Sequence, residues 1–489
     1  MPGERRLPRA TPESRGLRSG AVTALLDDLA DRGLEMHSLM VVARGAVVAE
    51  GWWAPYERER PHAFFSLSKS FTSTAVGLAQ AEGLLSVDDL VLTHFPEDAP
   101  AEVDPNLAQM RVRHLLSMTT GHHEGISNPV FASQDWVRAF LAQPVQHEPG
   151  THFVYNTAAS YVLSALVQKV SGQRLLDYLG PRLFDPLGIT GATWDQSPNG
   201  VDTGGFGLAG TTEDIACFGL LHLCDGVWQG RRLLPDGWVA EATRRQTYST
   251  HHGEPDWEEG YGFQFWRGRH GTYRGDGAFG QFCLVLPDQD AVVAITSGVS
   301  SMQGVLDAVW ENLLPAFGDG GQALDDDADA QADLTARLAG LRLDPPEGAP
   351  SSPVAAAWAG REIVFEPNSF GVTSAVLEPA GDATTIRARW GDDVVVLVAG
   401  HGRWVAGRLL TAHDDFDPHH PGRAEPVVAG VVWPAPDTML ASIRLHETPF
   451  MLTLEAIFGD TEVAVRADVN VSFGSTYLGD VVGRLAAPA

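Results

Sequence analysis

Ser66 and Lys69 stand three residues apart in the run Ser66-Leu67-Ser68-Lys69. On a helix that spacing puts both side chains on one face. A serine hydroxyl is a weak nucleophile until a neighbouring base takes its proton. A lysine becomes such a base only when burial or nearby positive charge lowers its pKa from about 10.4. Of the 34 basic residues in this chain, two are lysines, Lys69 and Lys169, and the other 32 are arginines. Arginine keeps its proton in proteins, and lysine need not. A lysine at this spacing, in so lysine-poor a chain, is a candidate for proton transfer. Taken alone, the same run also fits a helix cap followed by a surface lysine.

Positioning such a pair requires a helix. Leu67, Phe71, Ala75 and Leu78 recur at helical spacing, which predicts one with Ser66 at its N-cap and Gly83 at its end. Residues 37–53 predict two strands around a tight turn at Arg44-Gly45. Residues 271–299 predict further strands, in two apolar β-branched runs broken by Pro287-Asp288. Residues 84–215 read as helix and loop. Strands at both ends with helices between predict an α/β unit whose sheet pairs N- and C-terminal segments.

Composition shifts after Phe317. Residues 318–352 are acidic and Gly/Ala-rich, then Pro-rich, and read as a linker containing one helix. Beyond it, short alternating runs dominate. Val463, Val465, Ala467, Val469, Val471 and Phe473 fall on one face of a strand. The expected organisation is therefore an α/β unit at 1–317, a linker at 318–352, and an antiparallel β barrel or sandwich at 353–489.

Further motifs follow the serine in order: residues 114–122, then 149–172, 183–194 and 204–219. Together they resemble the β-lactamase-related serine hydrolases, a group that includes class C β-lactamases, D-Ala-D-Ala carboxypeptidases, family VIII esterases and nylon-oligomer hydrolases. The resemblance covers about residues 10–317. It implies a serine β-lactamase or penicillin-binding-protein-like α/β (α+β) fold, with an antiparallel sheet, flanking helices and a helical subdomain. It also implies Ser66 as a nucleophile that forms an acyl-enzyme. The family's Tyr-x-Asn motif is matched by Tyr155-Asn156-Thr157, with threonine in the asparagine place. Tyr155 would then be a general base or a proton relay with Lys69, its phenol lowered in pKa by the lysine's charge. Asn156 and Thr157 would border the substrate. The family's third motif, Lys-Thr-Gly or His-x-Gly, is matched by Gly275-Asp276-Gly277, with glycine where a cation or imidazole stands in relatives. Arg274, one residue earlier, faces the other side of a regular strand. The oxyanion hole would be the backbone N–H groups of Ser66 and Ala278.

Other residues carry weaker signals. His122 and His123 follow a family loop and either border a pocket or sit in solvent. Phe65, Trp136, Trp257, Tyr261 and Trp266 either line an apolar cleft or belong to the core. His270 is an alternative source of the missing third-motif charge, as is Arg274. Residues 413–420 contain histidines and aspartates without a recognised ligand spacing, so they read as a polar turn and no metal is expected.

The chain has 489 residues and a net charge of −28, from 62 acidic and 34 basic residues. Nucleic acid and anionic membrane surfaces need a basic footprint and are poor partners for it. A hydrophobic fraction of 44% allows a sizeable core. The three cysteines, Cys217, Cys224 and Cys283, form no framework. The N-terminal stretch lacks the apolar core of a signal peptide, and no run approaches the ~18 apolar residues of a membrane span, so a cytoplasmic protein is expected.

The expected function is hydrolysis of a small ester, amide or peptide through a Ser66 acyl-enzyme, without a cofactor and with weak β-lactamase activity. Two readings stay beside it: transfer of the acyl group to an amine, including peptide cyclisation, and a non-catalytic ligand sensor on the same fold. Homo-oligomerisation is left open.

Overall fold

The structure is a computed structural model and describes residues 6–249, 253–318, 322–391, 393–410 and 424–486. The histidine-rich run at 413–420 lies outside the described residues. Contacts divide the chain into two compact units. The first comprises Met1–Trp52, Arg58–Ser297 and Ser301–Gly340. The second comprises Leu341–Ala489 together with Trp53–Glu57 and Gly298–Ser300.

The first unit is built on a six-stranded sheet. Its strands are β1 (Met36–Ala43), β2 (Ala46–Trp52), β3 (Trp266–Arg267), β4 (Tyr273–Gly277), β5 (Gln281–Leu286) and β6 (Ala291–Ser297), in the spatial order β2-β1-β6-β5-β4-β3. β1 pairs antiparallel with β6, Val41 opposite Val293. The two chain ends of the unit therefore meet in mid-sheet, as the sequence predicted. Arg44 and Gly45 both take positive φ, 48° and 72°, in the β1–β2 turn, matching the right-handed strand twist. Every residue of β1, β5 and β6 is buried. Strands covered on both faces become continuous apolar runs, which is why these segments do not alternate.

Four helices matter for the site or its frame: α1 (Ser19–Asp31), α2 (Ser68–Ala81), α3 (Thr157–Ser171) and α4 (Thr212–Leu223). Helix α4 packs on β1, β5 and β6, and α2 packs on α3. Helix α2 is interior: all of Ser68–Ala79 is buried, and Phe71 stacks on Phe218 of α4 at 3.8 Å. The segment expected to be linker differs in character from a free tether. Its helix, α5 (Ala328–Ala339), packs on α1, with Leu334 buried. Gln331 donates to Glu13 at 2.9 Å and the Leu324 N–H to the Glu13 carbonyl at 2.9 Å.

The second unit contains a closed nine-strand barrel running from Glu362–Phe365 to Tyr477–Leu485. A parallel contact between Asp393–His401 and Ala424–Ala435, with Gly400 opposite Gly430, closes it. Strand Val405–Leu410 pairs with Ala424–Ala435 as an additional member. Closure removes the unpaired edges that would otherwise invite aggregation. Val463, Ala467, Val469 and Val471 are buried as the alternation predicted, whereas Phe473 is 79% exposed beyond the strand end. An apolar cavity of about 200 Å³ lies in the barrel.

Candidate active site

Ser66 sits one residue before the N-cap of α2 rather than at it. It lies in a 3₁₀ turn, Phe65–Leu67, that runs straight into α2, whose N-cap is Leu67. The serine therefore does not cap the helix. Its hydroxyl instead accepts a hydrogen bond from Lys69 Nζ at 2.9 Å. Lys69 Nζ also donates to the Gly205 carbonyl at 2.7 Å. Ser66 is half-buried and Lys69 is 1% exposed. Burial, only partly opposed by the negative charge of Asp276, lowers the Lys69 pKa to about 7.

Tyr155 completes the group. Its hydroxyl is close enough to Ser66 to feel it electrostatically, and Lys69 Nζ stands 4.9 Å from its ring centroid. The phenol is held well above its ordinary pKa, by burial first and by Asp276 second. This corrects the expectation that the lysine would acidify it: near neutral pH the lysine is the group that loses its proton, and the tyrosine keeps its own. Trp266 stacks on Tyr155 at 5.5 Å, and Trp257 and Tyr261 pack around Trp266. These three aromatics are 1–4% exposed. They are core supporting Tyr155 from behind, and Trp136 is likewise core, against Tyr161. Phe65 is half-buried, edge-on to Phe279.

Asn156 is fully buried and N-caps α3, its Oδ1 accepting the Ala158 N–H at 3.2 Å. It fixes the direction in which the chain leaves Tyr155, a different job from the substrate contact expected of it. Thr157 is half-buried and its methyl packs at Gly205, where an added Cβ would lie 2.6 Å away. That close approach is what brings the Gly205 carbonyl under Lys69.

Gly275 and Gly277 face the nucleophile turn. A Cβ on Gly277 would lie 2.1 Å from the Phe64 carbonyl oxygen, and one on Gly275 2.5 Å from Leu67 Cδ1. Only glycine lets β4 run this close to Ser66. Phe65 and Phe279, each adjacent to a predicted oxyanion donor, hold φ of 49° and 67°, conformations that cost non-glycine residues of order 1–3 kcal/mol. Asp276 and Arg274 share the opposite face of β4. Arg274 Nε donates to Asp276 Oδ2 at 2.9 Å, Nη1 to the Asp256 carbonyl at 2.8 Å, and the guanidinium lies 4.4 Å over Trp257. Arg274 is thus committed to Asp276 and the core. His270 sits against Trp310. His122 is buried on Thr120 at 2.8 Å, with burial lowering its pKa to about 4, whereas His123 is exposed.

Sequence reasoning missed Gln264. It is 2% exposed, accepts from Ser160 of α3 at 2.6 Å, donates to Leu116 at 2.9 Å, and its carbonyl accepts from Ser70 of α2 at 2.8 Å. It therefore locks the helix of Lys69 to the helix that follows Tyr155. A lone glutamine in an aromatic run gives no signal of this. The paired glycines Gly204-Gly205 are a signal that could have marked the Lys69 acceptor.

A model of the family described as Beta-lactamase matches residues 22–309. The chain belongs to the beta-lactamase family. It is a serine hydrolase of that family. The 6-aminohexanoate-dimer hydrolase of Paenarthrobacter ureafaciens is 27% identical over 313 residues, covering 58% of this chain and 78% of that protein. A lovastatin esterase of Penicillium rubens is 28% identical over 149 residues, 26% of this chain and 37% of the esterase. Among solved structures, EstCE1, titled a hydrolase with promiscuous acyltransferase activity, superposes with a TM-score of 0.50 at 19% identity, covering 60% of this chain and 98% of its own. That likeness is one of fold. Among the described residues no helix is long and apolar enough to cross a membrane.

Proposed function

We propose that the protein hydrolyses small esters and amides through an acyl-enzyme on Ser66. One observation carries this reading: Lys69 Nζ lies 2.9 Å from Ser66 Oγ while burial holds its pKa at about 7. In its neutral form the amine accepts the seryl proton as Oγ attacks the substrate carbonyl. The Ser66 and Ala278 N–H groups receive the developing oxyanion. Tyr155, protonated and within reach of Ser66, relays a proton to the leaving group and is reprotonated through Lys69. Water then attacks the ester of Ser66, and the acid leaves.

The substrate class follows from the third motif. Glycine at 275 offers no side-chain donor to a substrate carboxylate, and Arg274 is already engaged by Asp276. Charged hydrogen bonds contribute roughly 1.5–3 kcal/mol, so a carboxylate-bearing β-lactam forfeits about ten- to a hundredfold in recognition. Neutral or cationic esters and amides carry no such handicap. A cytoplasmic setting fits the three free cysteines, two of them buried.

The test is a fluorophosphonate probe followed by peptide mapping. Ser66 is the expected labelled residue, and Ser66→Ala should abolish labelling and turnover. Labelling elsewhere, with full activity in that variant, overturns the assignment.

A further inference from the structure

Three histidines outside the Ser66 group converge. Ring nitrogens of His123, His147 and His152 all lie within 4.8 Å of one another. His123 Nδ1 and His147 Nε2 are 3.1 Å apart, and the rings of His147 and His152 are 4.3 Å apart at their centroids. His123 is exposed and the other two are half-buried, so solvent reaches the cluster.

The frame beneath them is fixed. Two segments carry the histidines, and their backbones are tied at three points: the Val154 N–H to the Met118 carbonyl at 2.9 Å, Gly150 to Thr119 at 2.8 Å, and His147 to Gly121 at 2.8 Å. Gln146 Oε1 accepts the His123 N–H at 3.0 Å. Gly121 and Gly150 hold φ of 89° and 96°, and a Cβ on Gly121 would lie 2.3 Å from the His147 carbonyl oxygen. Glycine at 121 is therefore what allows His147 to stand opposite His123.

We infer that His123, His147 and His152 bind one divalent transition-metal ion of the cobalt, nickel, copper and zinc class, with water in the fourth position. Imidazole is the commonest protein ligand for these ions. Magnesium and calcium prefer oxygen and are disfavoured by an all-nitrogen set. Zinc binds imidazole nitrogen at about 2.0–2.1 Å, so a tetrahedral site places its nitrogens about 3.3–3.5 Å apart. The His123–His147 pair already stands near that separation, at 3.1 Å, and all three ligand nitrogens lie within 4.8 Å of one another. The ion clamps residues 118–123 to residues 146–154, and the second segment runs directly into Tyr155. It touches no reacting atom in the scheme above, and the inference does not depend on that scheme.

Metal-free full-length protein is titrated with Zn²⁺ by calorimetry and with Co²⁺ by visible absorption. The expected result is saturation at one equivalent in the micromolar range, with the intense spectrum of four-coordinate Co²⁺. His123→Ala, His147→Ala and His152→Ala should each weaken binding by about tenfold or more. Replacing His413, His419 and His420 should leave it unchanged. Since a variant could misfold, the wild type is also treated with diethylpyrocarbonate and mapped by mass spectrometry. Zn²⁺ should protect His123, His147 and His152 together. Absence of saturable binding, binding that survives in both His147→Ala and His152→Ala, or protection of a different set of histidines overturns the inference.

Discussion

Replacing Lys69 by methionine separates its charge from its packing, because both side chains are long and unbranched. The Lys69 pKa falls from 10.5 to about 7 in the folded protein. At about 1.4 kcal/mol per pK unit, burying the protonated form costs about 5 kcal/mol. The sign follows from proton counting. Between pH 7 and 10.5 the unfolded chain holds the lysine proton and the folded chain has released it, so stability rises with pH across that window. The cost is complete below the folded value and gone above the unfolded one. At about pH 6 the wild type bears nearly all of it, and at about pH 9 about 2 kcal/mol. Lys69→Met removes the titration. It also loses the bonds to Ser66 and Gly205, but that loss is shared by the two pH values and cancels between them. The variant's stability relative to wild type should therefore be more favourable at about pH 6 than at about pH 9 by about 3 kcal/mol, measured from urea midpoints. In the same wild-type protein, kcat/KM for an ester should rise about tenfold per pH unit below 7 and level off above it. An equal stability difference at both pH values, with a rate that keeps climbing tenfold per unit to about pH 10, would show that Lys69 titrates as an ordinary lysine and would refute the reasoning.

Tyr155→Phe should lower kcat about 10²–10⁴-fold while the rate profile keeps its midpoint near 7, since that limb belongs to Lys69; a shifted midpoint would assign the titration to the phenol instead. Gly277→Ala should cost about 10²–10³ in kcat, comparable to loss of an oxyanion donor, because its Cβ meets the Phe64 carbonyl at 2.1 Å and pushes Ala278 away from Ser66. Gly275→Ala should be milder, because the atoms it meets belong to the movable side chains of Leu67 and Ser70. A chromogenic cephalosporin should be turned over with lower kcat/KM than a short-chain p-nitrophenyl ester; the reverse preference would mean that a carboxylate site exists. Ending the chain after Phe317 should lower the melting temperature more than ending it after Gly340, because only the longer chain keeps Leu334 buried on α1 and the Gln331–Glu13 bond.

The serine–lysine helix, the strand pairs at both ends of the first unit and the β character of the C-terminal region were legible because each is a local pattern. Three-residue spacing, apolar periodicity and turn residues are written along the chain. Ser66, Lys69 and Tyr155 could be nominated from motifs, and the structure brings the three together. The capping role of Ser66 was misjudged because a 3₁₀ turn and an N-cap leave the same apolar spacing behind them. Helix Ala328–Ala339 was placed in a linker because its composition is acidic, and one buried residue, Leu334, was too little signal to show that it packs.

What the sequence determined by itself is thus the chemistry available: a hydroxyl, an amine that can be deprotonated, a phenol, and glycines on the strand to be set beside them. Only the tertiary structure decided which way the pKa of each group moves. Burial on α2 lowers the lysine's pKa, while the same burial raises the tyrosine's, because removing water disfavours whichever form is charged, and the two groups carry their charge in opposite protonation states. The three-histidine cluster likewise depends on backbone bonds between segments more than 20 residues apart in sequence, joining residues 118–121 to 147–154. No periodicity along the chain encodes that meeting; the close approach at Gly121 does.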